Sequence, residues 1–512
     1  MSTFTDITET YNDTSKKLRE ISALDGISGL LGWDEMVMLP PGSGGSRGDQ
    51  KAALAGVIYD KKTDPVLASN LNKLMSAKEA LTDVQAANVR DAHKLVVQET
   101  AVPKELAQKI ATLETTAYEA WIGARKNADF SAFAPSLQEW VDVNRAKAGH
   151  IAPEKPAYDV LLDMYEKGMT SSRVNEVFSE VRAGLVPLIS ALKTRGTPPD
   201  AAWLNGEYDV DIQAKMCRQI ALDLGFDIDK GRLDVSVHPF TGGSHPTDVR
   251  MTTRFKPHDL TEGLTGAIHE TGHSMYEQGR NLSPEWKDLP VSLALSMGIH
   301  ESQSLLWERM VALGKPFQTY LLPKIREFFP EFPADATEDK LYAAQNTMRN
   351  PSLIRVESDE LTYTLHVILR YEIESGLIDG SVAVADVPAL WNSKMQSYLG
   401  ATPTDDAQGC LQDIHWAGGA MGYFPTYTLG AMYATQIYEC ALASIPGLED
   451  SIAKGEFAPL RLWLNEKIHR VGSFYPSGDE LMVAVTGKPL DPQVYLNYLK
   501  KKYAAIYKVD GL

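Results

Sequence analysis

The sequence predicts a mainly α-helical protein with one small β element. Apolar residues recur three and four positions apart over long stretches, as in V-N-E-V-F-S-E-V-R-A-G-L at 174–185 and S-D-E-L-T-Y-T-L-H-V-I-L at 358–369. Proline and glycine clusters interrupt the helical pattern at 39–45, 195–200 and 328–333. We therefore expect a chain of helices separated by short loops.

The helical pattern is broken between residues 233 and 255. L-D-V-S-V-H-P-F at 233–240 and D-V-R-M-T-T-R-F at 248–255 alternate in polarity, and T-G-G-S-H-P-T lies between them. This arrangement predicts two short strands around a turn. The open edge of such an element can pair with the backbone of an extended peptide.

Composition and charge exclude several classes of protein. Hydrophobic residues make up 44% of the 512 residues and charged residues 23%, which is typical of a soluble globular chain. The 50 basic and 67 acidic residues give a net charge of −17, which argues against nucleic acid and anionic membranes as partners. No apolar run approaches the ~18 residues of a membrane span, and the polar, acidic start does not resemble a secretory signal. Three widely spaced cysteines indicate no disulfide framework, so we expect a cytoplasmic protein.

The segment A-I-H-E-T-G-H at 267–273 carries the strongest chemical motif. A helix is expected here, because Asp259 is a good N-cap residue and Gly279 can end the helix about five turns later. His269 and His273 are four residues apart and therefore lie on one face, which is the spacing of two zinc ligands.

The residue after the first histidine has its own predicted role. Glu270 is rotated by about 100° from His269 on the helix, beside the expected metal. There it can hold the water that attacks a peptide bond and accept its proton. The motif therefore predicts a peptide hydrolase with Glu270 as its general base.

A catalytic zinc site requires a third protein ligand. Tyr276 and Gly279 occupy the places of glycine and histidine in H-E-x-x-H-x-x-G-x-x-H, so the three-histidine class is excluded. The apolar stretch at 290–310 is expected to form the following helix, and Glu301 lies in its middle. A buried carboxylate needs a partner or a metal, so Glu301 is the predicted third ligand and Glu308 a weaker candidate.

Six motifs in order resemble those of the carboxypeptidase Taq family of zinc metallocarboxypeptidases. They are H-P-F at 238–240, D-x-R-x-T at 248–252, H-E-x-x-H at 269–273, H-E-S-Q at 300–303, I-R-x-x-x-D at 354–359 and G-x-x-Q-D-x-H-W at 409–416. The resemblance extends to both ends of the chain. One departure is Ser358, where the family pattern usually has alanine.

This resemblance implies a fold, an activity and an assembly. The fold would be a single helical domain with a deep groove, similar to those of neurolysin and angiotensin-converting enzyme. We expect its parts to be an N-terminal helical part at about 1–195, a catalytic core at about 196–440 and a C-terminal helical part at about 441–512. Family members are typically homodimers that remove single C-terminal residues from peptide substrates with broad side-chain tolerance. Zinc is the usual metal, and cobalt can replace it in some members.

The resemblance also implies groups that stabilise the oxyanion of the reaction. By analogy with related helical metallopeptidases, His415 and Tyr423 are the expected hydrogen-bond donors, and Tyr427 is an alternative. Asp413 and Asp359 are expected to orient His415 and Arg355, the arginine that is expected to bind the substrate's carboxylate.

An exopeptidase must also recognise the free C-terminus of its substrate. A planar guanidinium binds a carboxylate with two parallel hydrogen bonds, and Arg355 is the expected residue. Arg349 and Arg250 remain alternatives, although Arg250 can instead be a structural partner of Asp248. His238 is expected to contact the substrate from the strand region.

Two other functions remain open from the sequence. An oligopeptide metalloendopeptidase could use the same metal centre and would not need Arg355. A helical binding protein could retain the metal without activity, but the intact Glu270 does not favour it.

Overall fold

The computed structural model describes residues 4–511 and is mainly helical, as the sequence predicts. Helices α1–α20 are, in chain order, Phe4–Val37, Gly44–Lys62, Pro65–Ser76, Asp83–Ala101, Lys104–Asn127, Ala134–Ile151, Ala157–Leu162, Ser171–Arg195, Val210–Leu224, Leu260–Gln278, Met297–Leu305, Lys315–Phe328, Glu338–Gln345, Glu360–Asp379, Val387–Leu399, Pro425–Ser444, Leu448–Ala453, Ala458–Lys467, Gly478–Thr486 and Pro492–Tyr507. Strands β1–β3 are Gly231–Val235, Thr241–His245 and Asp248–Thr253.

Helices α14 and α16 lie at the centre of the larger hydrophobic core. Both are buried on nearly every side, which agrees with their apolar residues all around the helix axis. This core draws its residues from Leu113 to Val509. Within residues 4–511, no helix combines the length and hydrophobicity that crossing a membrane requires.

A second, smaller core joins the first helices of the chain to the segment before α11. Residues of α1, α3 and α4 form it, and Leu289 and Val291 complete it. Helix α1 also approaches strand β2 so closely that a Cβ atom on Gly26 would lie 2.4 Å from the carbonyl oxygen of Ser244. Helix α1 therefore covers one side of the β element.

The β element has three strands, so the prediction of two strands around a turn is wrong. The sheet order is β1-β3-β2, with β1 parallel and β2 antiparallel to β3. The glycine-containing segment that was expected to be a turn is strand β2, and the tight turn lies at Pro246 and Thr247. Residues 236–240, expected in the first strand, lie outside the strands.

Two predicted helix boundaries also differ from the structure. The stretch expected to be helical from residue 290 forms a short 3₁₀ turn at Pro290–Ser292, and α11 begins only at Met297, after the capping residue Ser296. Beyond α11 the chain continues as a π-helix, Leu306–Ala312. Helix α2 begins at Gly44, inside the glycine-rich cluster that was expected to be a loop.

Candidate active site

Helix α10 presents the H-E-x-x-H motif with the boundaries that the sequence predicts. The Asp259 side chain caps the helix by accepting the backbone N–H groups of Thr261 and Glu262, and Gly279 is the C-cap residue. Gly272 lies where α11 crosses, and a Cβ atom at this position would be 2.5 Å from the carbonyl oxygen of Gln303. The missing side chain thus allows α11 to bring Glu301 close to the two histidines.

The structure brings the three predicted metal ligands together. Donor atoms of His269, His273 and Glu301 all lie within 4.8 Å of one another. Oε2 of Glu301 is 3.2 Å from Nε2 of His273 and 3.6 Å from Nε2 of His269. Two imidazole nitrogens and one carboxylate oxygen are a donor set that suits a divalent metal and leaves a fourth position open.

Both histidines have partners on their other ring nitrogen. Nδ1 of His269 lies 2.7 Å from Oε2 of Glu308. Nδ1 of His273 lies 2.5 Å from Nδ1 of His300, whose Nε2 lies 3.0 Å from Glu277. With Nδ1 protonated, each histidine keeps the Nε2 lone pair for a metal. Glu308, the weaker ligand candidate, thus contacts the outer side of His269.

The charges of the cluster favour binding of a cation. Burial lowers the pKa of His269, but the charges of Glu301 and Glu308 outweigh burial and raise this pKa to about 10. Burial likewise opposes ionisation of Glu301, but His269 and His273 lower its pKa to about 2. The negative potential that holds a proton on the histidine also attracts a divalent metal.

Glu270 lies between the metal cluster and the β element. It is only 6% exposed, and its Oε2 accepts a hydrogen bond of 2.6 Å from Oγ1 of Thr241 in β2. Thr241 also lines a cavity of about 340 Å³ between α1, β2 and the end of α10. His300 borders this cavity and a second one of about 240 Å³ that contains Tyr165. Through Thr241 and His300 these cavities adjoin side chains that contact Glu270 and His273, but neither Glu270 nor a predicted metal ligand lines them.

The predicted oxyanion donors are neighbours in the structure. Nε2 of His415 lies 3.2 Å from the hydroxyl of Tyr427, and the ring of Tyr423 is 5.5 Å from the imidazole. Burial lowers the pKa of His415 to about 4, so the imidazole is neutral near pH 7. Burial and then the charge of Glu301 raise the pKa of Tyr423, so its phenol stays protonated. Neutral side chains with N–H or O–H groups are suitable donors.

Arg355 is held in place by Asp413 and Tyr363. Its Nε and Nη2 donate to Oδ1 of Asp413 at 2.9 and 2.8 Å, and Nη1 donates to the Tyr363 hydroxyl at 2.8 Å. These bonds leave one N–H on each of Nη1 and Nη2, which together form the outer edge of the guanidinium. Arg355 is only 6% exposed, so its guanidinium is largely shielded from solvent.

The predicted anchors have different partners from those expected. Asp413 binds Arg355 and also accepts from Nε of Arg370 at 2.5 Å, rather than bonding to His415. Asp359 caps α14, accepts the backbone N–H of Arg349 and does not contact the Arg355 side chain. Of the two expected anchors, Asp413 thus orients Arg355, whereas Asp359 does not.

Three further substrate-contact candidates are Arg250, His238 and Arg349. Arg250 pairs with Asp248 at 2.8 Å and lies over the ring of Trp33, which favours the structural alternative for this arginine. The His238 side chain is exposed, between β1 and β2. The Arg349 side chain is also exposed.

Three contacts around the site were not expected from the sequence. They are the bond from Thr241 to Glu270, the contact of His300 with His273 and the second arginine on Asp413, Arg370. Thr241 directly follows the H-P-F motif, and His300 belongs to H-E-S-Q. Both residues were therefore in or beside motifs that the sequence analysis recognised. No local pattern marked Arg370, because its partner is 43 residues away in the chain.

Comparisons with known proteins agree with this geometry over nearly the whole chain. Residues 13–503 match the model of the family described as carboxypeptidase Taq (M32) metallopeptidase. The chain is 37% identical to thermostable carboxypeptidase 1 of Thermus thermophilus, over 97% of this chain and 99% of that protein. It is 36% identical to carboxypeptidase 1 of Bacillus subtilis, over 96% and 97% of the two chains.

Solved structures show the same likeness. The M32 carboxypeptidase of Deinococcus radiodurans superposes with a TM-score of 0.94 at 35% identity, covering 98% of this chain and 100% of that one. Metallocarboxypeptidase 1 of Trypanosoma cruzi gives a TM-score of 0.93 at 35% identity, covering 97% and 99%. The chain belongs to the carboxypeptidase Taq (M32) family and is a metallocarboxypeptidase.

Proposed function

We propose that this metallocarboxypeptidase is zinc-dependent and removes single residues from the C-terminus of peptides with broad side-chain tolerance. The observation that carries the proposal is the cluster of half-buried His269, His273 and Glu301, with the buried Glu270 next to His269 on the same helix. Two imidazoles and a carboxylate favour zinc among the common divalent ions, and cobalt accepts the same tetrahedral set. A bound divalent metal would lower the pKa of water and polarise the scissile carbonyl.

Glu270 moves the protons in this proposal. Its carboxylate accepts a proton from the attacking water and later delivers it to the departing amine. The hydrogen bond from Thr241 fixes one carboxylate oxygen, which leaves the other free to face the water. The low exposure of Glu270 keeps bulk water away from this exchange.

Two side chains bind the charge that develops on the substrate's carbonyl oxygen. We assign this role to His415 and Tyr423, with Tyr427 as the alternative because it bonds to His415 directly. All three groups are buried or half-buried, so their dipoles act in surroundings of low polarity. The phenols also lie close enough to Glu301 for its charge to raise their pKa values.

Arg355 gives the enzyme its preference for a free C-terminus. Its outer guanidinium edge can form two hydrogen bonds to a carboxylate, while Asp413 and Tyr363 hold the opposite side. The ring centroids of Phe424 and Tyr427 lie 5.7 and 5.1 Å from its central carbon, so aromatic faces pack against the guanidinium. An endopeptidase with the same metal centre would not need this arrangement.

One experiment separates the exopeptidase from the endopeptidase. The zinc-loaded protein is incubated with a defined peptide and with the same peptide amidated at its C-terminus, and the products are identified by mass spectrometry. Stepwise loss of single C-terminal residues from the free acid, with little cleavage of the amide, supports the proposal. Internal cleavage of both peptides would establish the endopeptidase instead.

The identity of the metal is tested by measuring the metal content of the purified protein. Purified protein should contain about one zinc ion per chain, and a chelator should abolish hydrolysis until zinc or cobalt is restored. A different resident metal, with zinc unable to restore turnover, would contradict the assignment.

We also propose that the enzyme is a cytoplasmic homodimer. The family resemblance supports the dimer, and the absence of a disulfide framework among the three free cysteines supports a reducing compartment. Sedimentation at micromolar concentration tests the dimer. Fractionation of cells tests the cytoplasmic location. A monomer in sedimentation, or enzyme in an extracellular fraction, would contradict the corresponding proposal.

A further inference from the structure

Residues Asp413–Phe424, here called the donor loop, carry both His415 and Tyr423. Helix α14 contacts this loop through two side chains one turn apart. Arg370 binds Asp413 at the start of the loop. Glu374 binds the loop at Trp416 and at Gly422.

Glu374 is a fully buried carboxylate that three donors satisfy. Its Oε1 accepts from the hydroxyl of Tyr158 at 2.6 Å and from the backbone N–H of Gly422 at 3.1 Å. Its Oε2 accepts from Nε1 of Trp416 at 3.0 Å. No ion pair to Glu374 exists within residues 4–511, although the positive charge of Arg370 lies nearby. Burial raises the pKa of Glu374 to about 7.

The two loop groups that Glu374 holds are next to the two proposed donors. Trp416 follows His415, and Gly422 precedes Tyr423. Gly422 has a φ angle of +93°, and a Cβ atom there would lie 2.8 Å from the backbone of Leu161. Only glycine fits this conformation readily, and it turns the N–H group towards the carboxylate. Burying a carboxylate without a cationic partner is costly, so its hydrogen bonds to the donor loop need to be kept intact.

We propose that Glu374 is a positioning residue of the peptidase reaction, which sets the places of His415 and Tyr423 by fixing Trp416 and Gly422 from beneath the donor loop. The inference rests on the proposed roles of His415 and Tyr423. Glu374 itself touches neither donor, so its effect reaches the substrate through the loop backbone and the Trp416 ring.

Glu374→Gln tests the proposal directly, because it changes the hydrogen-bonding capacity of one oxygen and little else. All three partners approach with an N–H or O–H group, so each carboxylate oxygen acts as an acceptor. In the glutamine variant one of these oxygens becomes an NH₂ group, which cannot accept from Trp416 or from Gly422. The volume stays almost unchanged while one end of the donor loop loses its partner.

Measuring kcat of the zinc-loaded protein should distinguish a positioning role of Glu374 from a purely stabilising one. Donors to the oxyanion act in the transition state, so Glu374→Gln should lower kcat by about 10-fold or more while KM and bound zinc change little. Tyr158→Phe is the matched control, because it removes a donor from the same carboxylate without touching the loop. The control should lower the melting temperature and leave kcat within about twofold of the wild type.

Trp416→Phe provides a second variant in case the glutamine protein does not fold. It removes the Nε1–H donor, keeps an aromatic ring and should lower kcat in the same direction at unchanged KM. A kcat unchanged in Glu374→Gln and Trp416→Phe, or an equal loss of kcat in Tyr158→Phe, would overturn the proposal.

The reference variants Tyr423→Phe and His415→Asn separate this inference from the proposed function. If they lower kcat while Glu374→Gln does not, the role of Glu374 alone fails. If neither reference variant affects kcat, the assignment of the oxyanion donors fails.

Discussion

Oγ1 of Thr241 donates a 2.6 Å hydrogen bond to Oε2 of Glu270, and so joins strand β2 to the proposed general base. The same hydroxyl lies 3.1 Å from the backbone oxygen of Glu270, so the threonine also packs against the turn of α10 that carries this glutamate. Because the carboxylate has two oxygens, this bond selects which of them faces the substrate.

Thr241→Val should therefore slow the reaction without removing the metal. Valine has nearly the same shape and no hydroxyl, so Glu270 loses a charge-assisted bond worth about 1.5–3 kcal/mol. We expect kcat to fall about 10-fold or more at unchanged zinc content. Thr241→Ser restores the hydroxyl and should recover most of the rate. Equal rates in the valine and serine variants would show that the bond has no role.

Arg355→Lys should weaken binding of the substrate's C-terminus. Lysine cannot form two parallel bonds to a carboxylate, so we expect KM for free-acid peptides to rise about 10–100-fold. The matched variants Arg250→Lys and Arg349→Lys, measured with the same peptide, should leave KM within about threefold. A large rise in KM for one of these two, with Arg355→Lys unaffected, would transfer the role to that arginine.

Glu308→Gln should weaken metal binding through His269. The glutamine cannot supply the negative charge that Glu308 places 2.7 Å from Nδ1 of the histidine. Loss of such an outer partner typically costs about 10–100-fold in metal affinity. Competition with a chromophoric chelator measures the zinc dissociation constant, and an unchanged constant would contradict this view of Glu308.

Neutral His415 and His366 should contribute stability to the metal-free protein that is lost between pH 6.5 and about 4. Burial lowers the pKa of His415 to about 4 and that of His366 well below its ordinary value. Both histidines titrate near ~6.5 in an unfolded chain, so on acidification the unfolded state binds protons first. The stability that neutral histidines contribute is thus present above pH 6.5 and is lost as pH falls.

His366→Gln tests this dependence away from the proposed metal ligands. The variant should reduce the loss of unfolding free energy on acidification by up to about 1.4 kcal/mol per pH unit. Urea denaturation at pH 7, 6 and 5 measures this free energy. Parallel declines in the variant and the wild type would show that His366 does not contribute.

Features that depend on local periodicity could be predicted from the sequence. The i, i+4 spacing of His269 and His273 places both on one face of a helix whatever the tertiary structure is. The cap at Asp259 and the end at Gly279 depend on the backbone of their own turns. Glu301 was found because a carboxylate within a buried apolar stretch needs a partner.

Features that depend on long-range contacts could not be predicted. The glycines of β2 indicated a turn, but they pair along β3, and Gly26 and Gly29 of α1 let that helix pack against the strand. The parallel pairing of β1 with β3 has no local signal. Asp413 contacts Arg355 from 58 residues away, and Glu374 contacts Gly422 from 48 residues away. The sequence identifies such residues, but only the packed helices show which of them meet.

The central claim is that Glu270 activates water beside a metal held by His269, His273 and Glu301. Its most direct test is the turnover of Glu270→Gln, loaded with one zinc ion per chain, on a peptide with a free C-terminus. General base catalysis contributes about 10²–10⁴-fold, so the variant should retain its zinc and lose at least about 99% of kcat. A zinc-loaded Glu270→Gln protein that releases C-terminal residues at close to the wild-type rate would contradict the account.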